Sequence, residues 1–155
     1  MPSATIHSPI GHLKITTDDM HLKAIEFVTS IKVSEKKTAL LRAVVKELEE
    51  YFAGKRIRFT VPVKVDGTAF QKAVWKAMQS IGHGQSKSYG ALAKAIKRPK
   101  AFRAVGRACG KNPIPIIIPC HRIKGTNGMG GYSGGVGKKK WLLQHEEKLR
   151  MKNEK

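Results

Sequence analysis

PIPIIIPCHR, residues 113–122, is the stretch around which the rest of the chain can be interpreted. Its apolar run, which includes three consecutive isoleucines, stops at Pro119 and is followed by Cys120, His121 and Arg122. A short apolar run bounded by prolines predicts a buried, extended segment. Because packing alone does not require a thiol beside an imidazole at the end of such a segment, we expect Cys120 to be a nucleophile.

A nucleophilic cysteine needs help from its surroundings, because a free thiol is only slightly ionised near neutral pH. His121 is the nearest base, although neighbouring side chains of an extended strand point in opposite directions. A turn after Pro119 would let the two groups converge, directly or through a water molecule. The nearest acids that follow are Glu146 and Glu147, and either could orient the imidazole. A purely structural Cys–His pair is the alternative interpretation.

Charge is the strongest signal in the composition. The 155 residues include 30 Lys and Arg against 11 Asp and Glu, for a formal net charge of +19. The interval 67–145 contains 15 Lys and Arg and not one carboxylate. A long segment of one sign predicts a polyanion partner such as nucleic acid, and a merely solvated basic surface is the alternative.

Several classes of protein are not expected. The first residues contain no apolar signal-peptide core, and no window approaches the ~20 apolar residues of a membrane span. The two cysteines, Cys109 and Cys120, are expected to be free thiols in the cytoplasm, or in the nucleus of a eukaryotic source. Without CxxC, HxxxH or HExxH spacing, no metal site is predicted.

The N-terminal half has the pattern of a small α/β scaffold. Alternating apolar residues predict a β-hairpin over 5–28, three- and four-residue apolar spacing predicts a helix over 35–52, and a further strand is expected over 57–63. The composition becomes basic near residue 65. We therefore predict two domains, 1–64 and 65–155.

The C-terminal half is predicted to be mostly helical. Asp66 or Thr68 can cap a first helix that runs to about Ile81, and Ser88 can cap a short helix over 89–97. Further helices are expected over 100–110 and 138–149. Because the second and third helices are joined by only a few residues, they suggest a helix-turn-helix.

The helix over 100–110 has two distinct faces. Phe102, Val105 and Cys109 are expected to point to the core. Small residues alternate with arginines on the other side, where Ala104 and Ala108 flank Arg103, Gly106, Arg107 and Gly110. Such a surface would let the helix backbone approach a narrow groove closely, and a tight helix–helix contact is the alternative.

The glycine-rich segment 125–137 does not match a phosphate-binding template. It contains neither a Walker pattern nor GxGxxG. We interpret it as a backbone wall around a ligand, with Tyr132 and Ser133 as its functional side chains.

Together these motifs resemble the O6-alkylguanine-DNA alkyltransferases. The resemblance covers residues 68–149 and is carried by SYGALA (88–93), RAVGRACGKNPIPIIIPCHRI (103–123), GGYSGG (130–135) and WLLQHE (141–146). It implies a ribonuclease-H-like α/β domain, with a small antiparallel sheet and a helix. A mostly α domain with a winged-helix-like helix-turn-helix would follow.

The resemblance also implies catalytic roles. Cys120 would accept the alkyl group, His121 would deprotonate it through a water molecule, and Glu146 would hold the imidazole. Tyr89 would turn the nucleotide out and donate a proton to the leaving base. Asn112 would be the hinge between the recognition helix and the active-site run.

The family pattern further implies DNA and substrate contacts. Arg103 would fill the gap left by the extruded nucleotide, although Phe102 precedes it where a small residue is common. The other implied DNA contacts are Tyr89, Lys100, Ala104, Gly106 and Arg107. The implied guanine pocket comprises Ile118, Met129, Tyr132, Ser133 and Gly134.

The implied reaction is stoichiometric, irreversible repair of O6-alkylguanine, and more weakly of O4-alkylthymine, in double-stranded DNA. It would follow minor-groove binding and nucleotide flipping by a monomer, without metal or cofactor. The alternatives are a non-catalytic lesion-binding protein, a helix-turn-helix regulator and a thiol hydrolase. The presence of Cys120 argues against the first of these.

Overall fold

The computed structural model describes residues 1–30, 38–125, 132 and 135–153, and the chain divides into two compact units, Met1–Val65 and Asp66–Lys155. None of the described helices is both long and apolar enough to cross a membrane.

A three-stranded antiparallel sheet forms the start of the first unit. Its strands are β1 (Ser3–Ser8), β2 (Gly11–Thr17) and β3 (Leu22–Val28), in that order across the sheet. The predicted hairpin corresponds to β2 and β3, whereas β1 is an additional strand that pairs from Ser3↔Thr16 to Ser8↔Gly11. Alternation along β2 buries Leu13 and Ile15.

Helix α1 (Ala39–Phe52) covers this sheet. The predicted start at residue 35 lies outside the described residues. Thr38 has an extended backbone, and its hydroxyl accepts a hydrogen bond from the Leu41 N–H at 3.1 Å, so the helix begins at Ala39. Three of the residues at the predicted spacing are buried, Leu41, Val44 and Leu48, and Tyr51 is buried in addition to them.

The strand predicted over 57–63 is wrong. Within residues 57–63, all of which the structure describes, only Val63 makes a β-bridge, to Leu22. The Glu47 carboxylate instead accepts hydrogen bonds from the Thr60 N–H at 2.8 Å and from the Val61 N–H at 3.3 Å. A side chain thus satisfies backbone donors that a strand partner would otherwise satisfy.

The second unit contains four helices in its described part: α2 (Ala69–Gln79), α3 (Tyr89–Ala95), α4 (Phe102–Gly110) and α5 (Val136–Asn153). The two-residue strands β4 (Lys87–Ser88) and β5 (Ile123–Lys124) pair in parallel. With the antiparallel sheet and helix of the first unit, this arrangement confirms the predicted fold class.

The helix starts follow the predicted caps. Thr68 and Gln71 form a reciprocal capping box at α2, and the Ser88 hydroxyl accepts from the Ala91 N–H at α3. Helix α3 ends earlier than predicted, at Ala95, and Lys97 has a φ of +63°.

Helix α4 packs on α2 and α3. The Trp75 indole N–H donates to the Ala108 carbonyl at 2.8 Å, and Val105 and Cys109 are buried. Phe102 is the first residue of the helix, and it is 50% exposed. The prediction that Phe102 points to the core is therefore wrong.

Candidate active site

The loop before Cys120 is folded around Asn112 rather than extended. The Asn112 side-chain oxygen accepts from the Ile114 N–H at 2.9 Å, and its amide donates to the Ile118 carbonyl at 2.7 Å. The Ile118 N–H also donates to the Ile114 carbonyl at 2.9 Å. The prediction of an extended run is therefore wrong, since Pro113 and Pro115 lack the N–H groups that a strand requires.

Two tight backbone features place the thiol. Ile116 is buried with a φ of +77°, a conformation that costs a β-branched residue about 1–3 kcal/mol. After it, the Cys120 N–H donates to the Ile118 carbonyl at 2.8 Å across Pro119. Cys120 then starts a 3-10 turn, Cys120–Arg122. The thiol and the imidazole are therefore not on opposite faces of a strand.

Glu146 holds the imidazole of His121. The His121 Nε2 atom lies 2.7 Å from Glu146 Oε2, and both side chains are fully buried. Arg122 donates from Nε to Oε1 at 2.9 Å and from Nη2 to Oε2 at 3.0 Å. The Gly84 N–H donates to Oε1 at 3.2 Å. Of the two candidate acids, Glu146 is thus the one that contacts His121, whereas Glu147 pairs with Arg150.

These contacts determine the protonation of the pair. Burial alone would raise the pKa of Glu146, but hydrogen bonds from His121 and Arg122, together with the positive charge of Arg122, outweigh it and hold that pKa well below its usual range. Burial lowers the pKa of His121 despite the opposing effect of Glu146. The imidazole is therefore neutral, with Nε2–H donating to the carboxylate. Its Nδ1 has no hydrogen-bond partner among the described residues, so this atom is available as a base.

Cys120 is buried, and it requires such a base. Burial raises the pKa of its thiol, while a hydrogen bond from Asn112 and the charge of Lys139 oppose the rise. Cys109 is a less reactive thiol, because burial raises its pKa to about 12. Its sulfur lies 3.3 Å from that of Met78.

Lys139 is a site residue that sequence reasoning missed. It belongs to the helix predicted over 138–149, where it is fully buried and donates to the Ile123 carbonyl at 2.5 Å. Burial lowers its pKa, and the nearby thiols of Cys120 and Cys109 oppose this effect. The available signal was the spacing of Lys139, Leu142 and Glu146, which is that of one helix face.

Arg122 was also missed as a functional residue. Besides clamping Glu146, it donates from Nη1 to the Ile81 carbonyl at 2.6 Å. Only its position next to His121 in the sequence pointed to this role.

Two tyrosines approach the thiols. Burial raises the pKa of Tyr89, with smaller contributions from Cys109 and Cys120, and its ring lies beside Gly106. Burial also raises the pKa of Tyr132, again with a contribution from Cys120. The remaining predicted pocket residues divide into buried Ile118 and three that lie outside the described residues, Met129, Ser133 and Gly134.

Helix α4 presents arginines and glycines on its outer side. Arg103 and Arg107 are exposed, and Ala104 and Gly106 are half-buried beside them. Ala108, expected at the flank, is buried instead, where its carbonyl binds Trp75. The nearby Lys100 is exposed. Among the described residues, no cluster of three His, Cys, Asp or Glu could hold a metal ion.

Both units of the chain match models of known protein families. Residues 1–65 match the family model of the 6-O-methylguanine DNA methyltransferase ribonuclease-like domain, and residues 69–148 match that of the DNA binding domain. DNA is therefore the partner of the C-terminal unit.

Curated relatives cover nearly the whole chain. A probable methylated-DNA–protein-cysteine methyltransferase of Acanthamoeba polyphaga mimivirus is 44% identical over 146 residues, which are 92% of this chain and 95% of that protein. The methylated-DNA–protein-cysteine methyltransferase of Methanosarcina acetivorans is 41% identical over 150 residues, with 92% and 96% coverage.

Solved structures have the same fold. The Mycobacterium tuberculosis O6-methylguanine methyltransferase is 38% identical, with a TM-score of 0.86 and coverage of 94% of this chain and 92% of that one. The M. tuberculosis OGT in complex with DNA gives a TM-score of 0.84 at the same identity and coverage. The matches over both units show that the chain belongs to the 6-O-methylguanine DNA methyltransferase family.

Proposed function

We propose that this protein repairs DNA by transferring the alkyl group of O6-alkylguanine, and more weakly of O4-alkylthymine, to its own Cys120. The activity is that of a methylated-DNA–protein-cysteine methyltransferase, as in the family to which the chain belongs. The observation that carries the assignment is the buried Cys120 next to a neutral His121 that Glu146 holds by Nε2. This arrangement leaves Nδ1 as the base.

The chemistry is one displacement. His121 Nδ1 takes the thiol proton through a bridging water molecule, and the sulfur attacks the alkyl carbon on O6. The S–C bond forms as the C–O bond breaks, and the electron pair remains on the guanine. Tyr89 donates its hydroxyl proton to the leaving base, and the thiol proton held by His121 then returns to the Tyr89 phenolate. The net products are a thioether and unmodified guanine.

Lys139 assists the thiolate. A buried ammonium group near the sulfur favours the charged form, and here it opposes the effect of burial on Cys120. Asn112 contributes in the same direction through its hydrogen bond to the thiol. It also acts as the hinge, because its side chain joins the end of α4 to the loop that carries Cys120.

DNA must present the lesion outside the helix stack, because the target oxygen is inaccessible within a duplex. The outer side of α4 suits a narrow groove, since a Cβ placed on Gly106 would meet only the Tyr89 ring, at 3.9 Å, and one on Gly110 would meet nothing within 4 Å. Arg103 extends from this side and fills the space of the flipped nucleotide. Lys100, Ala104 and Arg107 line the approach to the backbone.

The flipped base enters a pocket lined by Ile118 and Tyr132, and the family resemblance adds Met129, Ser133 and Gly134, which lie outside the described residues. No group among the described residues around Cys120 could hydrolyse a thioether, so we expect each molecule to react once. All the catalytic groups belong to one unit, which supports action as a monomer. We place the reaction in the cytoplasm, where thiols stay reduced.

The decisive experiment is mass spectrometry after incubation with a duplex containing O6-methylguanine. We expect one methyl group on the peptide that carries Cys120 and none on the peptide that carries Cys109. Cys120→Ala should take up no methyl group while binding the duplex as the unchanged protein does. An unmodified Cys120 peptide after prolonged incubation would refute the proposal and favour a non-catalytic lesion-binding protein or a regulator.

A further inference from the structure

Phe102 is an exposed aromatic residue at the N-terminal end of α4, next to Arg103. Single exposed apolar residues are common on protein surfaces, so exposure alone has no functional meaning. The position of Phe102 is what distinguishes it. It is the first residue of α4, is 50% exposed, and directly precedes Arg103, whose guanidinium carbon lies 6.0 Å from the centre of its ring.

Along the helix, Phe102 is followed at one-turn intervals by residues without side chains. Gly106 lies one turn further and Gly110 two turns further, and neither bears a side chain. Phe102 and Arg103 therefore project together at the N-terminal end of this surface. The interval 67–145 contains no carboxylate that would repel a phosphate backbone there.

We propose that Phe102 is an apolar wedge that stacks on the base pair next to the extruded nucleotide. The inference rests on the proposed function, because it needs a duplex with one nucleotide turned out. Removing a nucleotide from the stack exposes the apolar faces of its neighbours. A phenyl ring can cover such a face, as inserted apolar side chains do in minor-groove proteins. Arg103 supplies charge and hydrogen bonds, and the adjacent Phe102 supplies apolar contact that a guanidinium does not.

Phe102 is thus a positioning residue, because it stabilises the open duplex and does not touch the reacting atoms. Its loss should slow the reaction with duplex DNA and leave the reaction with a free base unchanged. From the stacking contribution of one aromatic residue, the loss should be about 5- to 150-fold.

The experiment compares Phe102→Ala and Phe102→Trp with the unchanged protein and with a matched control. Ile57→Ala is the control, since Ile57 is 49% exposed but belongs to the first unit. Single-turnover rates are measured on an O6-methylguanine duplex and on free O6-benzylguanine. For Phe102→Trp, the fluorescence of the introduced indole is followed on addition of the same duplex.

We expect Phe102→Ala to react more slowly with the duplex and at an unchanged rate with the free base. Phe102→Trp should react with the duplex as fast as the unchanged protein, and its indole fluorescence should be quenched when the duplex is added. Ile57→Ala should match the unchanged protein on both substrates. Equal duplex rates for Phe102→Ala and the unchanged protein would overturn the wedge. Equal losses on the duplex and the free base would also overturn it, since they indicate a folding defect. A loss that disappears on a duplex too short for two protein molecules would assign Phe102 to a contact between copies. If the unchanged protein takes up no alkyl group, the proposed function fails, and the indole quenching still tests the wedge.

Discussion

Glu146 illustrates how a single buried residue determines the chemistry of its neighbours. Its two oxygens accept from His121, from two nitrogens of Arg122 and from the Gly84 N–H. With its acceptor positions occupied and its pKa lowered, the carboxylate stays ionised and orients the imidazole without taking its proton. The other ring nitrogen of His121, Nδ1, is then the atom that we propose as the base of the site.

Replacing this carboxylate should change both stability and its dependence on pH. We expect Glu146→Gln to destabilise the protein by about 3–5 kcal/mol at pH 7, because Arg122 is left buried without its counter-charge. The pKa of Glu146 in the folded protein lies below its ordinary value of 4.5. The ionised carboxylate therefore contributes fully to the free energy of unfolding above pH 4.5, and this contribution is lost as the pH falls through the pKa of the folded protein.

The difference in unfolding free energy between Glu146→Gln and the unchanged protein should therefore narrow at acid pH. Urea unfolding at pH 7, 4 and 3 measures this difference, with Glu147→Gln as the control, at a half-buried residue whose side chain pairs with Arg150. A difference that stays constant from pH 7 to pH 3 would contradict the assignment.

The charge of Lys139 can be tested by a substitution of similar volume. Lys139→Met should lower the rate of reaction with free O6-benzylguanine at pH 7 by up to about tenfold, since a rise of one unit in the thiol pKa reduces the thiolate tenfold. The rate should recover as the pH is raised. Lys140→Met, at an exposed neighbour, is the control. A reduced rate that does not respond to pH would indicate a structural role for Lys139.

At the scale of elements, helix α4 has an inner side that stabilises the fold and an outer side that weakens the helix. Its inner side packs through Val105 and Cys109, whereas its outer side contains glycines that weaken the helix. Glycine inside a helix costs about 0.5–1 kcal/mol relative to alanine, so Gly106 does not serve the stability of the helix, and we propose that it serves close approach to DNA.

Gly106→Ala should therefore separate stability from DNA repair. The added Cβ meets the Tyr89 ring at 3.9 Å, an ordinary contact, so we expect the protein to gain about 0.5–1 kcal/mol. Repair of duplex DNA should slow, while reaction with the free base should not. Gly90→Ala in α3 is the matched control, with a gain in stability and an unchanged repair rate. Unimpaired duplex repair by Gly106→Ala would show that the glycine is not needed for DNA approach.

On the scale of the whole molecule, charge governs the encounter with DNA. The net charge of +19 is concentrated where carboxylates are absent, so each DNA contact should release counterions. This attraction does not depend on base sequence.

Duplex affinity should fall steeply with salt. We expect a loss of at least about tenfold between 50 and 200 mM NaCl, with the same slope for two unrelated sequences without lesions. Fluorescence anisotropy with labelled duplexes measures this. Affinity that is independent of salt would exclude phosphate contacts as the main source of binding.

The amino-acid sequence by itself determined the elements whose signals are local. Alternation predicted β2 and β3, the hydroxyl caps predicted the starts of α2 and α3, and the family motif indicated Cys120. These features depend on periodicity and on neighbours within one turn of helix. Spacing alone did not distinguish Glu146 from Glu147, because the contact that selects Glu146 joins it to His121, 25 residues earlier in the chain.

Tertiary structure alone decided the features that depend on distant partners. Asn112 folds the isoleucine run that otherwise has the pattern of a strand, and Glu47 holds the segment 57–63 without a strand. Burial of Lys139 and exposure of Phe102 reverse what composition predicts for each. Local sequence cannot specify these outcomes, because a side chain is buried or exposed according to what the rest of the chain places against it.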